Sequence, residues 1–166
     1  HANGLSTTNN FTVSSGQFVN NLGAGFYPMA QAGNLVWLDG NLDGIQDENE
    51  SRVEGVKVEA IQLSSGEITN TVYTDVDGIY NLDYLEKQEY FIRFTPPTGY
   101  GVTLPRVTND ERDSDVDHSF GPNTTRSFDM QSGQFYEHID MGLAFGVLPL
   151  DWLDVTVVRD NDKHKV

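Results

Sequence analysis

No cysteine occurs anywhere in the chain of 166 residues. Disulfides and thiolate metal sites are therefore excluded, and an exported domain with this sequence needs another brace, of which a bound cation is one. No run of 18 apolar residues occurs, which excludes a membrane-spanning helix. Cationic side chains are scarce: 10 Lys and Arg against 25 Asp and Glu leave a net charge of −15. Nucleic acid and anionic lipid surfaces would be repelled by such a chain. Long helical patterns are missing too. Short runs of Val, Leu, Ile, Phe, Tyr and Trp alternate with the 16 glycines, which favours many short strands joined by glycine turns. The acidity reads either as a solvated face or as cation binding, and the clustering of the acids favours cations.

The densest cluster is "LDGNLDGIQDENES", Leu38 to Ser51. It has the spacing D-x-N-x-D-G-x-x-D-x-x-E of an EF-hand calcium loop. Asp39 takes position 1, Asn41 position 3, Asp43 position 5 and Gly44 position 6. Ile45 offers its carbonyl at position 7, Asp47 stands at position 9, and Glu50 is the bidentate ligand at position 12. Hard oxygen ligands at alternate positions let a curled loop present them inward. Glycine at position 6 admits a turn that side chains oppose. The flanks "GNLVWL" and "VEGVKVEAIQL" are rich in β-branched and aromatic residues and read as strands. A calcium sensor opens two helices; a loop between strands instead sets their angle. The alternative is a solvated acidic turn.

A second acidic stretch, Thr108 to Ser119, carries Asp110, Glu111, Asp113, Asp115 and Asp117. The alternation at 113, 115 and 117 points carboxylates to one side of an extended chain. "TDVDG", Thr74 to Gly78, adds Asp75 and Asp77. A solvated loop and a second calcium site drawing on both segments remain open for the first, and an ordinary Asp-Gly turn explains the second on its own. The sequons at Asn10 and Asn123 are candidate glycan acceptors.

The two ends of the chain repeat one another. Residues 1–26 and 118–143 align without a gap at an offset of 117, with identities that include His1/His118, Thr7/Thr124, Thr8/Thr125, Phe11/Phe128, Phe18/Phe135 and Gly25/Gly142. Both copies contain "SGQF", which reads as a hairpin turn between strands near 126–131 and 134–142. Residues 1–32 are therefore expected to be the last hairpin of a preceding repeat plus a linker, with 33–145 one complete module. Residues 146–166 are expected to be the first strand of a following β-domain or a donated strand. The start at His1 reads as a mature or excised segment, with any export signal outside the sequence.

Within the module, further strands are expected near 34–38, 55–63, 67–74, 78–84, 89–95 and 99–103, turned by "SSG", "DVDG" and "PPTG". Seven or eight short strands with no helix imply an all-β, antiparallel sandwich, with the EF-hand-like loop and flanking β-segments attached.

The motifs VW-x-D-x-N-x-DG-I-Q-D-x-x-E, G-V-x-V, T-D-x-DG-x-Y-x-L-x-x-L, P-x-GY and DSD fall in order along 33–145. They resemble the B-type repeats of bacterial serine-aspartate repeat surface proteins, relatives of the collagen-adhesin B modules. The resemblance implies an immunoglobulin- or transthyretin-like, Cna-B-type sandwich serving as a calcium-stiffened spacer in surface stalks. It also implies calcium ligands at Asp39, Asn41, Asp43, Ile45, Asp47 and Glu50, and at Asp113 and Asp115. Some relatives carry a Lys–Asn isopeptide bond. Here the first strand lacks lysine, and Lys57 and Lys87 face no evident asparagine partner, so no crosslink is expected. "LPRVT" and "LPLDW" do not fit the LPxTG wall anchor. "GVLPLDWLDVTVVRDNDKHKV" resembles the lead-in to sorting domains of type IX secretion, which implies an extracellular location.

No catalytic constellation is present: His1, His118, His138 and His164 are scattered, and no Ser/His/Asp spacing, phosphate loop or zinc motif occurs. The expected function is a non-enzymatic, calcium-rigidified module of an extracellular stalk or filament. It would associate with neighbouring repeats or assemble head-to-tail by strand exchange, the C-terminal strand completing the N-terminal hairpin of a neighbour. The alternative is an adhesin module that binds a surface ligand directly, with the irregular stretch 98–125 the place to look.

Overall fold

Alternation of apolar and polar residues builds the strands. β5 (Glu89–Thr95) sends Tyr90, Ile92 and Phe94 inward, and β4 (Ile79–Leu85) does the same with Tyr80 and Leu82, and with Leu85 beyond a shift in its register. The remaining elements are β1 (Ala30–Leu38), β2 (Lys57–Gln62), β3 (Ile68–Tyr73), β6 (Tyr100–Val102), β7 (Phe128–Asp129), β8 (Phe135–Tyr136) and β9 (Met141–Phe145). The structure is a computed structural model that describes residues 10–20, 22–108 and 111–146. The expected strand at 146–166 falls almost wholly outside the described residues.

Two sheets face each other. One runs β4-β1-β9-β6, with β8 also paired to β1; the other runs β3-β2-β5-β7. Val58 and Ala60 of β2 lie opposite Phe94 and Ile92 of β5, and these residues face Val36, Leu82, Met141 and Leu143 of the first sheet across one core. The ring of Tyr80 meets that of Phe94 edge-on at 5.6 Å, and the Tyr80 hydroxyl donates to the Ile139 carbonyl at 2.7 Å. On the outer face of β2, Glu59 is buried between Lys57 (2.9 Å) and Arg93 (3.0 Å). Burial pushes its carboxyl up, but these two cations hold it below the usual range.

The all-β sandwich agrees with expectation, with three differences. First, β1 begins at Ala30, so part of the stretch read as linker belongs to the sheet. Second, the sandwich is not antiparallel throughout: β8 pairs with β1 in parallel at Gln31 and Ala32, and β9 does so at Val36 to Leu38. Parallel neighbours need a crossover, and here everything from β2 to β7 supplies it. Third, "SGQF" does not turn a hairpin. β7 pairs with β5 in one sheet, while β8 pairs with β1 in the other. The turn is an arch between the two sheets, with Phe128 and Met130 entering the core from one arm and Ile139 from the other. Among the described residues, 10–28 form no strand at all.

Candidate metal centre

The loop that follows β1 is anchored at its first residue. The Asp39 amide donates to the Leu143 carbonyl of β9 at 2.8 Å, which fixes Asp39 at the sheet end and buries its side chain. Asp39 Oδ1 accepts the Leu42 amide at 2.6 Å, and Oδ2 accepts the Gly44 amide at 2.8 Å and the hydroxyl of Thr103. The chain is thus wound around one carboxylate. Glu50 closes the loop from its far end: Oε1 accepts the Gly40 amide and Oε2 the Asp47 amide, each at 2.9 Å. Asp43 Oδ1 accepts the Ile45 amide at 2.8 Å, and the Asn41 amide group bridges Asp43 and Asp47. Gly44 has φ of 79°, and a Cβ there would lie 2.5 Å from the Leu104 carbonyl oxygen. Both the turn and the close approach of a second loop demand glycine.

That second loop brings part of the other acidic stretch. Ile45 bridges Asp113 in antiparallel fashion, the Gln46 amide donates to the Arg112 carbonyl at 2.7 Å, and the Arg112 guanidinium donates to the Gln46 carbonyl at 2.7 Å. Asp113 is fully buried; its Oδ2 accepts the Thr108 amide at 2.6 Å, while Oδ1 has no hydrogen-bond partner. An ionised carboxylate oxygen left so is costly.

The remaining acids disperse. Asp115 Oδ2 accepts the Asp140 amide at 2.8 Å, and its Oδ1 lies 3.7 Å from Arg106. Asp117 pairs with Arg126 at 2.6 Å and Arg106 at 3.4 Å. Burial raises Asp117, yet hydrogen bonds from Ser119 and Arg126 and the charge of Arg106 hold it below the ordinary carboxylate range. Asp75 accepts the amides of Asp77 and Ile79 at 2.9 Å each, so this pair closes the turn between β3 and β4. Asp110 lies outside the described residues. Among the described residues, no three acidic or histidine side chains stand together as a preformed metal cage. Of the sequons, Asn10 is exposed, while Asn123 is half-buried with its backbone tied to Phe94 and His118.

One acid escaped sequence reasoning. Asp140 is fully buried at the start of β9 and accepts the Leu35 amide (3.0 Å) and the Asn34 side-chain amide (3.1 Å). Burial, reinforced by the charge of Asp115, pushes its carboxyl up to about 8. Its one signal in the sequence is a lone acid ahead of the apolar run "MGLAF". With Asp115 it pins the acidic stretch to β1 and β9.

Residues 30–143 match the family profile described as the SdrD B-like domain. Over 117 residues the chain is 38% identical to serine-aspartate repeat-containing protein F of Staphylococcus epidermidis, covering 69% of this chain and 7% of that protein. Over 96 residues it is 40% identical to serine-aspartate repeat-containing protein C of Staphylococcus aureus, covering 57% of this chain and 10% of that protein. The chain therefore spans a tenth or less of these relatives. Among solved structures, the Bacillus anthracis TIE protein is similar at 15% identity and a TM-score of 0.47, over 71% of this chain and 17% of that one. The minor pilin GBS52 of Streptococcus agalactiae is similar at 12% identity and a TM-score of 0.45, over 74% and 47%.

Proposed function

The chain belongs to the SdrD B-like domain family, and from that premise we propose that it is a non-enzymatic spacer of an extracellular bacterial stalk, stiffened by calcium. The module is a surface-protein repeat with a β-sandwich fold. Calcium, as a hard cation, would take the oxygens of Asp39, Asn41, Asp43, Asp47 and Glu50 and the carbonyl of Ile45. Asp113 and Asp115 are candidates for a further ion; what recommends Asp113 is its buried, unpartnered Oδ1.

The observation that carries the reading is the winding of residues 39–50 around Asp39, with Glu50 tying the loop end to Gly40. An oxygen-rich loop is thereby held between β1 and β2, at the point where the chain passes from one sheet to the other. A cation there braces the two sheets and switches nothing. No helix pair or methionine-lined groove is present among the described residues to be opened. Neighbouring modules joined end to end would make up the stalk.

Thermal melting of the full chain with and without chelator tests the calcium reading. At a hundredfold excess over the dissociation constant one ion contributes about 2.7 kcal/mol, so chelator lowers Tm while the β circular-dichroism signature persists. Glu50→Gln reproduces most of that loss. An unchanged Tm in chelator rejects the reading.

A further inference from the structure

Residues 10–27 carry the side chains of a module's closing segment with no module around them. Phe128, Met130, Ile139 and Leu143 are at most 9% exposed and fill the core. Their counterparts at the offset of 117 are Phe11, Val13, Leu22 and Phe26, which are 53%, 52%, 54% and 93% exposed. Each position stays apolar where nothing covers it. Four large apolar residues laid open over sixteen positions are a partner surface rather than scattered exposure.

The glycines narrow the partner. A Cβ on Gly142 would lie 2.7 Å from Cζ2 of Trp37 and would collide with the Thr103 methyl, so β9 needs glycine to admit that indole. Its counterpart Gly25 has nothing within 4 Å of a Cβ. The same glycine would leave room for a ring of that size at this position. The arch agrees. The Gln17 amide donates to Ser14 O at 3.0 Å and the Ser14 amide to Gln17 Oε1 at 3.1 Å. Gln134 repeats both bonds with Gln131, at 3.1 and 3.0 Å. In the second copy the arms of this arch enter different sheets and never pair with each other. The first copy therefore cannot complete itself as a hairpin, and a single added strand cannot complete it either. It needs the edges of two facing sheets.

We infer that residues 10–27 are the closing arch of a second, preceding B-type module. They insert between its two sheets with Phe11 beside the strand equivalent to β5 and Phe18 beside the strand equivalent to β1. That first strand presents a tryptophan, or a ring of its size, against Gly25. This deepens the end-to-end part of the proposed function and is independent of calcium. The described module offers no such opening, because its own residues 128–143 occupy it.

The test joins a second copy of residues 28–117 ahead of His1 of the full chain, so that His1 follows Asp117 as His118 does. The same fusion closed by residues 118–143 sets the reference for full folding. In calcium, the β circular-dichroism signal rises towards that reference, and amide protection at Phe11, Val13, Phe18 and Phe26 increases at least about a hundredfold over the unfused chain. Gly25→Val in the fusion abolishes this gain and leaves the protection of β1 to β9 unchanged. Amides of 10–27 that exchange as fast in the fusion as in the unfused chain would overturn the assignment. So would a gain indifferent to Gly25→Val, or an unfused chain that buries these residues by associating with a second copy. Chelator sensitivity plays no part in any of these outcomes, so the inference and the calcium reading fail separately.

Discussion

Residues 14–17 and 131–134 make the same turn, with glycine at φ 78° in one and 73° in the other. Beyond the turn the two regions part. In the second, Ser132 donates to the Pro28 carbonyl at 2.6 Å, β7 joins β5, β8 and β9 join β1, and the apolar side chains are covered. In the first, the same order of residues runs without a strand. The turn needs only its own amides and one glutamine side chain. Strands need partners, and two-residue strands such as β7 and β8 need them most, because they contribute too few hydrogen bonds to offset the cost of ordering.

Paired substitutions test that contrast. The largest difference is expected at the glycines: Gly142→Val destabilises the module by about 4 kcal/mol or more, because the added side chain collides with the buried Trp37 and Thr103. Gly25→Val in the unfused chain stays within about 0.5 kcal/mol. Equal shifts in Tm would show that residues 10–27 are already packed on the module. Next come the phenylalanines. Phe128→Ala costs about 3 kcal/mol through lost burial and the cavity left behind, whereas Phe11→Ala leaves the denaturant midpoint in place. The smallest difference is in the turn itself. Gly133→Ala strains a positive φ and presses on Pro28, for about 1–2 kcal/mol of global stability. Gly16→Ala strains the same φ but changes only local chemical shifts at Ser14 to Gln17, with Tm unmoved. A drop in Tm there would mean that the first turn, too, is coupled to the core.

Much of the site was legible in the linear order of residues. Asp39, Gly44 and Glu50 sit where the spacing put them, since a loop of this length closes on its own amides. Asp75 and Asp77 form the ordinary turn that their sequence also allowed. The fate of 113, 115 and 117 was not legible. Alternation indicated one shared side, but Thr108, Asp140 and the pair Arg106 and Arg126 draw the three carboxylates apart. Asp140 was invisible for a related reason: its partners, Leu35 and Asn34, lie more than a hundred positions away.

The sequence by itself determined the strand-rich class, the closed acidic loop at 39–50, the Asp-Gly turn at 75–78, and the correspondence between the two ends, because each depends on residue type and short spacing. Only the tertiary structure decided that the "SGQF" arch crosses between sheets, that β8 and β9 run parallel to β1, and that Gly142 but not Gly25 meets a tryptophan. Those outcomes rest on contacts between segments far apart in the chain. The free energy of such contacts comes from burying surface against a partner, and a linear pattern records that surface without recording what covers it.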